Sequence, residues 1–218
     1  MARPRGRPLA EETRRALLRA AEGMYGAKGY AGTSFAALAK PLGLSGPAIY
    51  YHFDSKSKLL TEAYIARLDQ VASLYRADAA ESMTAVAELW RFVYRHVRIS
   101  IDSTRAKSSG HQIYGATHLM REVEPAEAAR LRKAALGALD LLRSILRRGI
   151  EEGSMPHITK KTVTATAFAI LGFGNTARGW FRNDGELTAH DVAEHHSDLA
   201  LGAVGAKPLR GKHRKIQF

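Results

Sequence analysis

Residues Thr33 to Phe53 read T-S-F-A-A-L-A-K-P-L-G-L-S-G-P-A-I-Y-Y-H-F, and this stretch decides the fold. Phe35, Leu38, Ala39 and Leu42 recur at the i, i+3, i+4, i+7 spacing of one buried helix face. Thr33 is the expected N-cap of that helix. Pro41 costs about 3 kcal/mol in a helix interior, so the helix is expected to kink or end near Lys40. Gly43 suits the left-handed position that closes a helix, and Leu44 is the apolar plug of the turn. Ser45 caps a second, short helix expected over Gly46 to Phe53, with Pro47 in the first turn, where a missing N–H is tolerated. Two short helices about a tight turn make a helix-turn-helix, whose second helix enters a DNA major groove.

The run Leu44 to Leu60, L-S-G-P-A-I-Y-Y-H-F-D-S-K-S-K-L-L, resembles the DNA-binding domain of TetR-family transcriptional regulators. The aromatic tetrad Tyr50-Tyr51-His52-Phe53, followed by Ser55-Lys56 and Leu59-Leu60, carries the likeness. The resemblance implies that Tyr51, His52 and Lys56 contact phosphates, with Tyr50 nearby, and that Gly46, Pro47 and Ala48 meet base edges. Thr33, Ser34 and Ser45 join them as candidate DNA contacts. Many relatives carry lysine where Gly46 stands. With no long polar side chain at 46–48, apolar contact with thymine methyls and DNA shape must carry more of the readout.

Charge points the same way. The chain has 218 residues and a net charge of +12. Residues 1–60 hold ten Lys/Arg against four Asp/Glu, residues 61–206 hold eighteen against seventeen, and residues 207–218 hold five against none. A basic head on a neutral body suits a DNA-binding module fused to a sensor or oligomerisation domain. Pro4-Arg5-Gly6-Arg7-Pro8 matches the core of the AT-hook. Prolines keep such a peptide extended and arginines suit a narrow A·T minor groove, so Arg3, Arg5 and Arg7 are further candidate DNA contacts. The tail from Lys207 reads as a solvated basic segment.

Hydrophobic content of 45% supports a core, and the absence of cysteine excludes disulfides and thiolate metal sites. No apolar run reaches the roughly 18 residues of a membrane span, and the N-terminus lacks a signal-peptide core, so a cytoplasmic protein is expected. Helical periodicity predicts helices over 10–28, 55–75, 84–102, 111–122, 125–152, 159–181 and 188–204, with Glu11 and Glu12 at the positive end of the first. The fold class expected is all-α: an arm (1–9), a helix-turn-helix domain (10–57), a helical ligand-binding and dimerisation body (58–206) and a basic tail (207–218). The 55–75 helix joins head to body and is the natural lever between them.

Enzyme chemistry finds little support. Gly172-Phe173-Gly174-Asn175-Thr176-Ala177 fits G-x-G-x-x-A but lacks a preceding strand and a βαβ setting, so helix packing is the better account. No nucleophile elbow or metal-ligand spacing occurs, and no cofactor or metal is expected.

The resemblance further implies a homodimer, because the last two long helices of such proteins pair with their twofold mates. Two heads a helical turn apart would read a palindromic operator in double-stranded DNA. Asn175 to Gly185, N-T-A-R-G-W-F-R-N-D-G, followed by E-L-T-A-H-D-V-A, is similar to TetR-family members that control fatty-acid or sterol degradation and respond to acyl-CoA thioesters. That likeness nominates Arg95, Arg98, Arg121, Arg178 and Arg182 as cations for a CoA ligand, with His118, Asn175 and Trp180 beside them. The alternative for Trp180 and Phe181 is interface packing, with the arginines solvated. The function expected is a repressor released from its operator by a small molecule. The rival is a ligand-independent architectural DNA-binding protein.

Overall fold

In the computed structural model, which describes residues 7–76, 83–105 and 118–209, every regular element is helical. The elements are α1 (Arg7–Lys28), α2 (Phe35–Ala39), a 3₁₀ turn (Lys40–Leu42), α3 (Gly46–Tyr50), α4 (Lys56–Arg76) and α5 (Ala85–Arg105). They continue through helical residues 118–122 (α6), then α7 (Pro125–Ala135), α8 (Gly137–Glu151), α9 (Val163–Trp180) and α10 (Ala189–Ala203). The described residues form two compact units. The first runs to Asp69 and takes in 118–135; the second holds 70–76, 83–105 and 136–209.

In the first unit, α1 presents Leu17, Ala21 and Tyr25, spaced four residues apart, to a core with Leu38, Ala39, Ile49, Phe53, Leu59, Leu60, Ala63 and Tyr64. Each large side chain fully buried here contributes about 1.5–3 kcal/mol. Leu119 and Leu131, both fully buried, close the same core. The packing therefore crosses the expected 57/58 boundary, since Leu59 and Leu60 have no exposed surface and belong with the helix-turn-helix. Charged pairs reinforce the seam of α1 and α4: Arg14 binds Glu62, and Arg67 lies 3.6 Å from Glu22. Burial raises the Glu22 pKa above its ordinary value, and Arg67 works against that shift.

Helix α1 starts at Arg7, three residues before the expected start, so residues 7–9 of the supposed arm are helical and Glu11 and Glu12 fall outside the first turn. Pro8 is tolerated there because first-turn N–H groups have no intrahelical partner. The expected continuous helix over 125–152 is two helices broken at Leu136, and its apolar stripe divides with it. Leu131 packs in the first core, while Leu139, Leu142 and Leu146 pack in the second. Gly137, a weak helix former, follows the break. Likewise α5 runs to Arg105, beyond its expected end, and α9 starts at Val163 after a turn that Thr159 opens.

The second unit is built on α5, which packs against α8, α9 and α10. Trp90, Val93, Val97 and Ile101 share one face by helical spacing, yet α5 is covered on nearly every side, Leu89, Phe92, Tyr94, Arg95 and His96 included. Its polar groups consequently need internal partners. Trp90 Nε1 donates to Asp198 (2.9 Å), Tyr94 Oη bonds His190 Nδ1 (2.6 Å), and Arg95 donates to the Leu74 carbonyl. The Tyr75 hydroxyl donates to His96 Nδ1 and His96 Nε2–H donates to the Leu171 carbonyl, both at 2.9 Å. Burial pushes the His96 pKa down, against the Leu171 hydrogen bond. Thr188 and Asp191 form a reciprocal cap of α10.

Candidate nucleic-acid interface

Local rules set most of the helix-turn-helix. Proline at position 41 converts the end of α2 into a 3₁₀ turn. Gly43 adopts φ 66°, and the bonds Leu44 N–H to Ala39 O (3.0 Å) and Gly43 N–H to Lys40 O (3.3 Å) complete a Schellman motif. The N-cap of α2 is Ser34, not Thr33: Ser34 Oγ accepts from Ala37 N–H at 3.2 Å. Thr33 is fully buried, and its hydroxyl donates to the Gly29 carbonyl at 2.9 Å, so its side chain shapes the loop from inside.

Ser45 caps α3 by accepting from Ala48 N–H at 3.3 Å. The helix stops at Tyr50, three residues before the expected end. His52 and Phe53 both donate to the Ile49 carbonyl, a tightened last turn that swings Phe53 into the core. Ile49 and Phe53 anchor the recognition helix from below. Above it, Tyr50 is 61% and Tyr51 85% exposed, beside Ser45 and Pro47, also exposed, and the half-covered Gly46 and Ala48. The Tyr50 ring is set edge-on against Phe35 (4.8 Å) and Tyr51 against His52 (5.4 Å). Helix propensity and core packing explain neither exposed tyrosine. An open concavity of about 420 Å³ lies beside them, lined by Ala31, Thr33, Ser34, Phe35, Tyr50, Asp54, Ser55 and Lys56. Lys56 is occupied there: Nζ donates to the Tyr30 carbonyl at 2.9 Å and lies 3.8 Å from the Tyr30 ring centroid.

Arg3 and Arg5 lie outside the described residues, and Arg7 opens α1. The candidate ligand residues fall into separate groups. His118 and Arg121 are exposed on α6 in the first unit, where Tyr25 Oη lies 3.4 Å from His118 Nδ1. Burial, and then the charge of Glu122, push the Tyr25 hydroxyl up to about 12. Arg95 and Arg98 sit on α5; Arg95 turns to Leu74 and Arg98 lies 3.5 Å from Asp102. Asn175 is half-buried and Arg178 falls within α9. Trp180 is exposed at the end of that helix, and Arg182 makes a two-pronged bond to Asp184 (3.0 and 2.9 Å). Gly174 of the G-x-G-x-x-A match packs on His96, so that motif is helix packing. Sequence reasoning did not single out Tyr30, Ser57, Tyr75 and His96. Gly29 and Gly32, on either side of Tyr30-Ala31, were the available signal for the first.

Two family models match the chain. Residues 17–63 match bacterial regulatory proteins of the tetR family, and residues 82–204 match the tetracyclin repressor-like C-terminal domain. The chain belongs to the TetR family. The family's members are transcription regulators with a helix-turn-helix DNA-binding domain, not enzymes. Among curated relatives, the HTH-type transcriptional activator FasR of Mycolicibacterium smegmatis is 24% identical over 94% of this chain and 89% of its own. The negative regulator IcaR of Staphylococcus aureus is 26% identical over 42% of this chain; the match spans only about half, 54%, of IcaR. Among solved structures, FadR of Bacillus subtilis in complex with stearoyl-CoA superposes with a TM-score of 0.66 at 21% identity, covering 87% of this chain and 98% of that one. That likeness is one of fold. No helix among the described residues is long and apolar enough to cross a membrane.

Proposed function

We propose that the protein is a homodimeric repressor that binds a palindromic operator and leaves it when a small effector, an acyl-CoA thioester, binds the second unit. The observation that carries the DNA reading is the recognition-helix face. Tyr50 and Tyr51 stand exposed over the buried anchors Ile49 and Phe53, and Gly46, Pro47 and Ala48 form a first turn small enough to enter a groove closely. Tyr51 and His52 meet backbone phosphates, with Tyr50 nearby, and the first turn meets thymine methyls.

Dimerisation is supported by the outer faces of α9 and α10. Ala165, Phe168, Ala169, Thr176 and Trp180 are exposed on α9, with Gly172 half-covered among them. At 3.6 residues per turn they share about a third of the helix circumference. On α10, Asp191, His195, Leu199 and Gly202 share one exposed face. Small residues flanked by Phe168 (59% exposed) and Leu199 (48% exposed) suit close approach of a second copy's helices.

The effector class is supported by the Asn175 to Gly185 pattern and by the stearoyl-CoA carried by FadR. Effector binding would act by population shift, favouring a state in which α4 carries the two heads out of groove register. Such a regulator works in the cytoplasm. The test is selection of bound sequences from random DNA, with and without a mixed acyl-CoA pool. A palindrome lost on adding the pool is expected. A palindrome that persists discards the effector class, and A·T enrichment without symmetry discards the operator reading.

A further inference from the structure

The loop entering α2 is held from several directions. Gly29 turns it at φ 69°. Gly32 passes so near Lys28 that a Cβ would stand 2.5 Å from the Lys28 carbonyl oxygen, so only glycine fits. The Tyr30 carbonyl accepts from Thr33 N–H at 3.2 Å, and the Tyr30 hydroxyl bonds Ser57 Oγ at 3.0 Å. Onto this Lys56 adds two contacts, its ammonium donating to the same Tyr30 carbonyl at 2.9 Å and lying over the Tyr30 ring. Lys56 and Ser57 open α4, shortly after the exposed Tyr50 and Tyr51, while Tyr30 precedes Ser34, the cap of α2. Tyr30 thus ties the element before the recognition helix to the element after it. The concavity beside the recognition helix is bounded by these two ends, Ala31 to Phe35 on one side and Asp54 to Lys56 on the other.

We propose that Lys56 is a positioning residue of the DNA-binding surface, its ammonium holding the Tyr30 carbonyl and ring and so setting the distance between the α2 and α4 ends that flank the recognition helix, instead of pairing with a phosphate. The assignment rests on the DNA-binding reading above. A cation whose charge is spent on a carbonyl and a ring face inside the protein releases no counterion from DNA. A cation on a phosphate does, and its loss changes the salt dependence of binding. The two roles therefore separate in a measurement that a loss of affinity alone would not resolve.

The experiment uses the full chain and an operator fragment recovered by selection. Affinity is measured from low to high salt for wild type, Lys56→Met, Tyr30→Leu and the double variant. Lys56→Met keeps most of the apolar stem and removes the ammonium. The expected result is a loss of affinity of about tenfold for each single variant, no further loss in the double, and an unchanged slope of log K against log salt. In the DNA-free protein, ring current from Tyr30 shifts the Lys56 ε-methylene protons upfield; Tyr30→Leu abolishes the shift and Tyr30→Phe, which keeps ring and carbonyl, retains it. A slope shallower by about 0.9 in Lys56→Met overturns the assignment, because one phosphate contact has then gone. Additive losses in the double variant, or Lys56 protons without a ring-current shift, overturn it as well. A wild-type chain that selects no DNA refutes the DNA reading itself, which is seen before any variant is made.

Discussion

Replacing Gly174 with alanine tests how the second unit is locked. A Cβ there would stand 2.6 Å from Ser100 Oγ and 2.7 Å from His96 Cδ2 and Nε2. The imidazole cannot step back freely, because the Tyr75 hydroxyl and the Leu171 carbonyl hold its two nitrogens. Overpacking of this kind costs about 1–3 kcal/mol. Loss of one neutral hydrogen bond adds about 1 kcal/mol, and alanine returns about 1 kcal/mol of helix propensity. The net expectation is a destabilisation of about 1–3 kcal/mol, or a fall in Tm of roughly 2–12 °C for a chain of this size. Gly23→Ala, at an exposed position in the interior of α1 and off the proposed dimer face, is the control. Nothing lies within 4 Å of its built Cβ, so within one chain only the propensity gain remains, about 1 kcal/mol of stabilisation. Thermal and urea unfolding of both variants, followed by circular dichroism, are the assay. Equal effects of the two substitutions, or a Gly174→Ala protein as stable as wild type, would refute the claim that the His96 ring is fixed against α9.

Other expectations follow from single residues. Burial holds His96 neutral, its pKa below the ordinary 6.5, so the unfolded chain takes up a proton that the folded one refuses. Stability is then full above about pH 6.5 and falls as pH drops below it, by at most about 1.4 kcal/mol per pH unit from this group. Urea midpoints at pH 7.5 and 5.5 check this, and a His96→Gln protein with an equally steep fall would place the effect elsewhere. Tyr51→Phe removes a hydroxyl on a side chain 85% exposed; it should leave Tm unchanged and weaken operator binding several-fold across sequences. Retention of full affinity would remove Tyr51 from the contact surface. Phe168→Glu places a charge on the exposed α9 face and should convert the proposed dimer to monomer in light scattering, with circular dichroism unchanged. A dimer that survives would put the interface on another face.

Much that depends on neighbours three or four residues away was legible from the chain. Ser45 and Gly43 work through backbone bonds a turn long, and Pro41 ends α2 for reasons it carries itself. The short recognition helix and its exposed tyrosines were plain too, because an aromatic run closing so short a helix has few other uses. Where adjacent residues are chemically alike, the local signal could not choose: Thr33 and Ser34 are both good caps, and only packing turned Thr33 inward. The apolar stripe of 125–152 keeps one period through a break, so nothing in it tells that Leu131 and Leu139 serve different cores. Lys56 and His96 make the same point for function. Their partners lie 26 residues away in Tyr30 and 75 away in Leu171, distances at which periodicity and capping say nothing. Helices and their ends come from short-range bonds that the order of residues specifies. Which charge is left for DNA, and which helix is buried all round, comes from contacts that exist only once the chain has closed on itself.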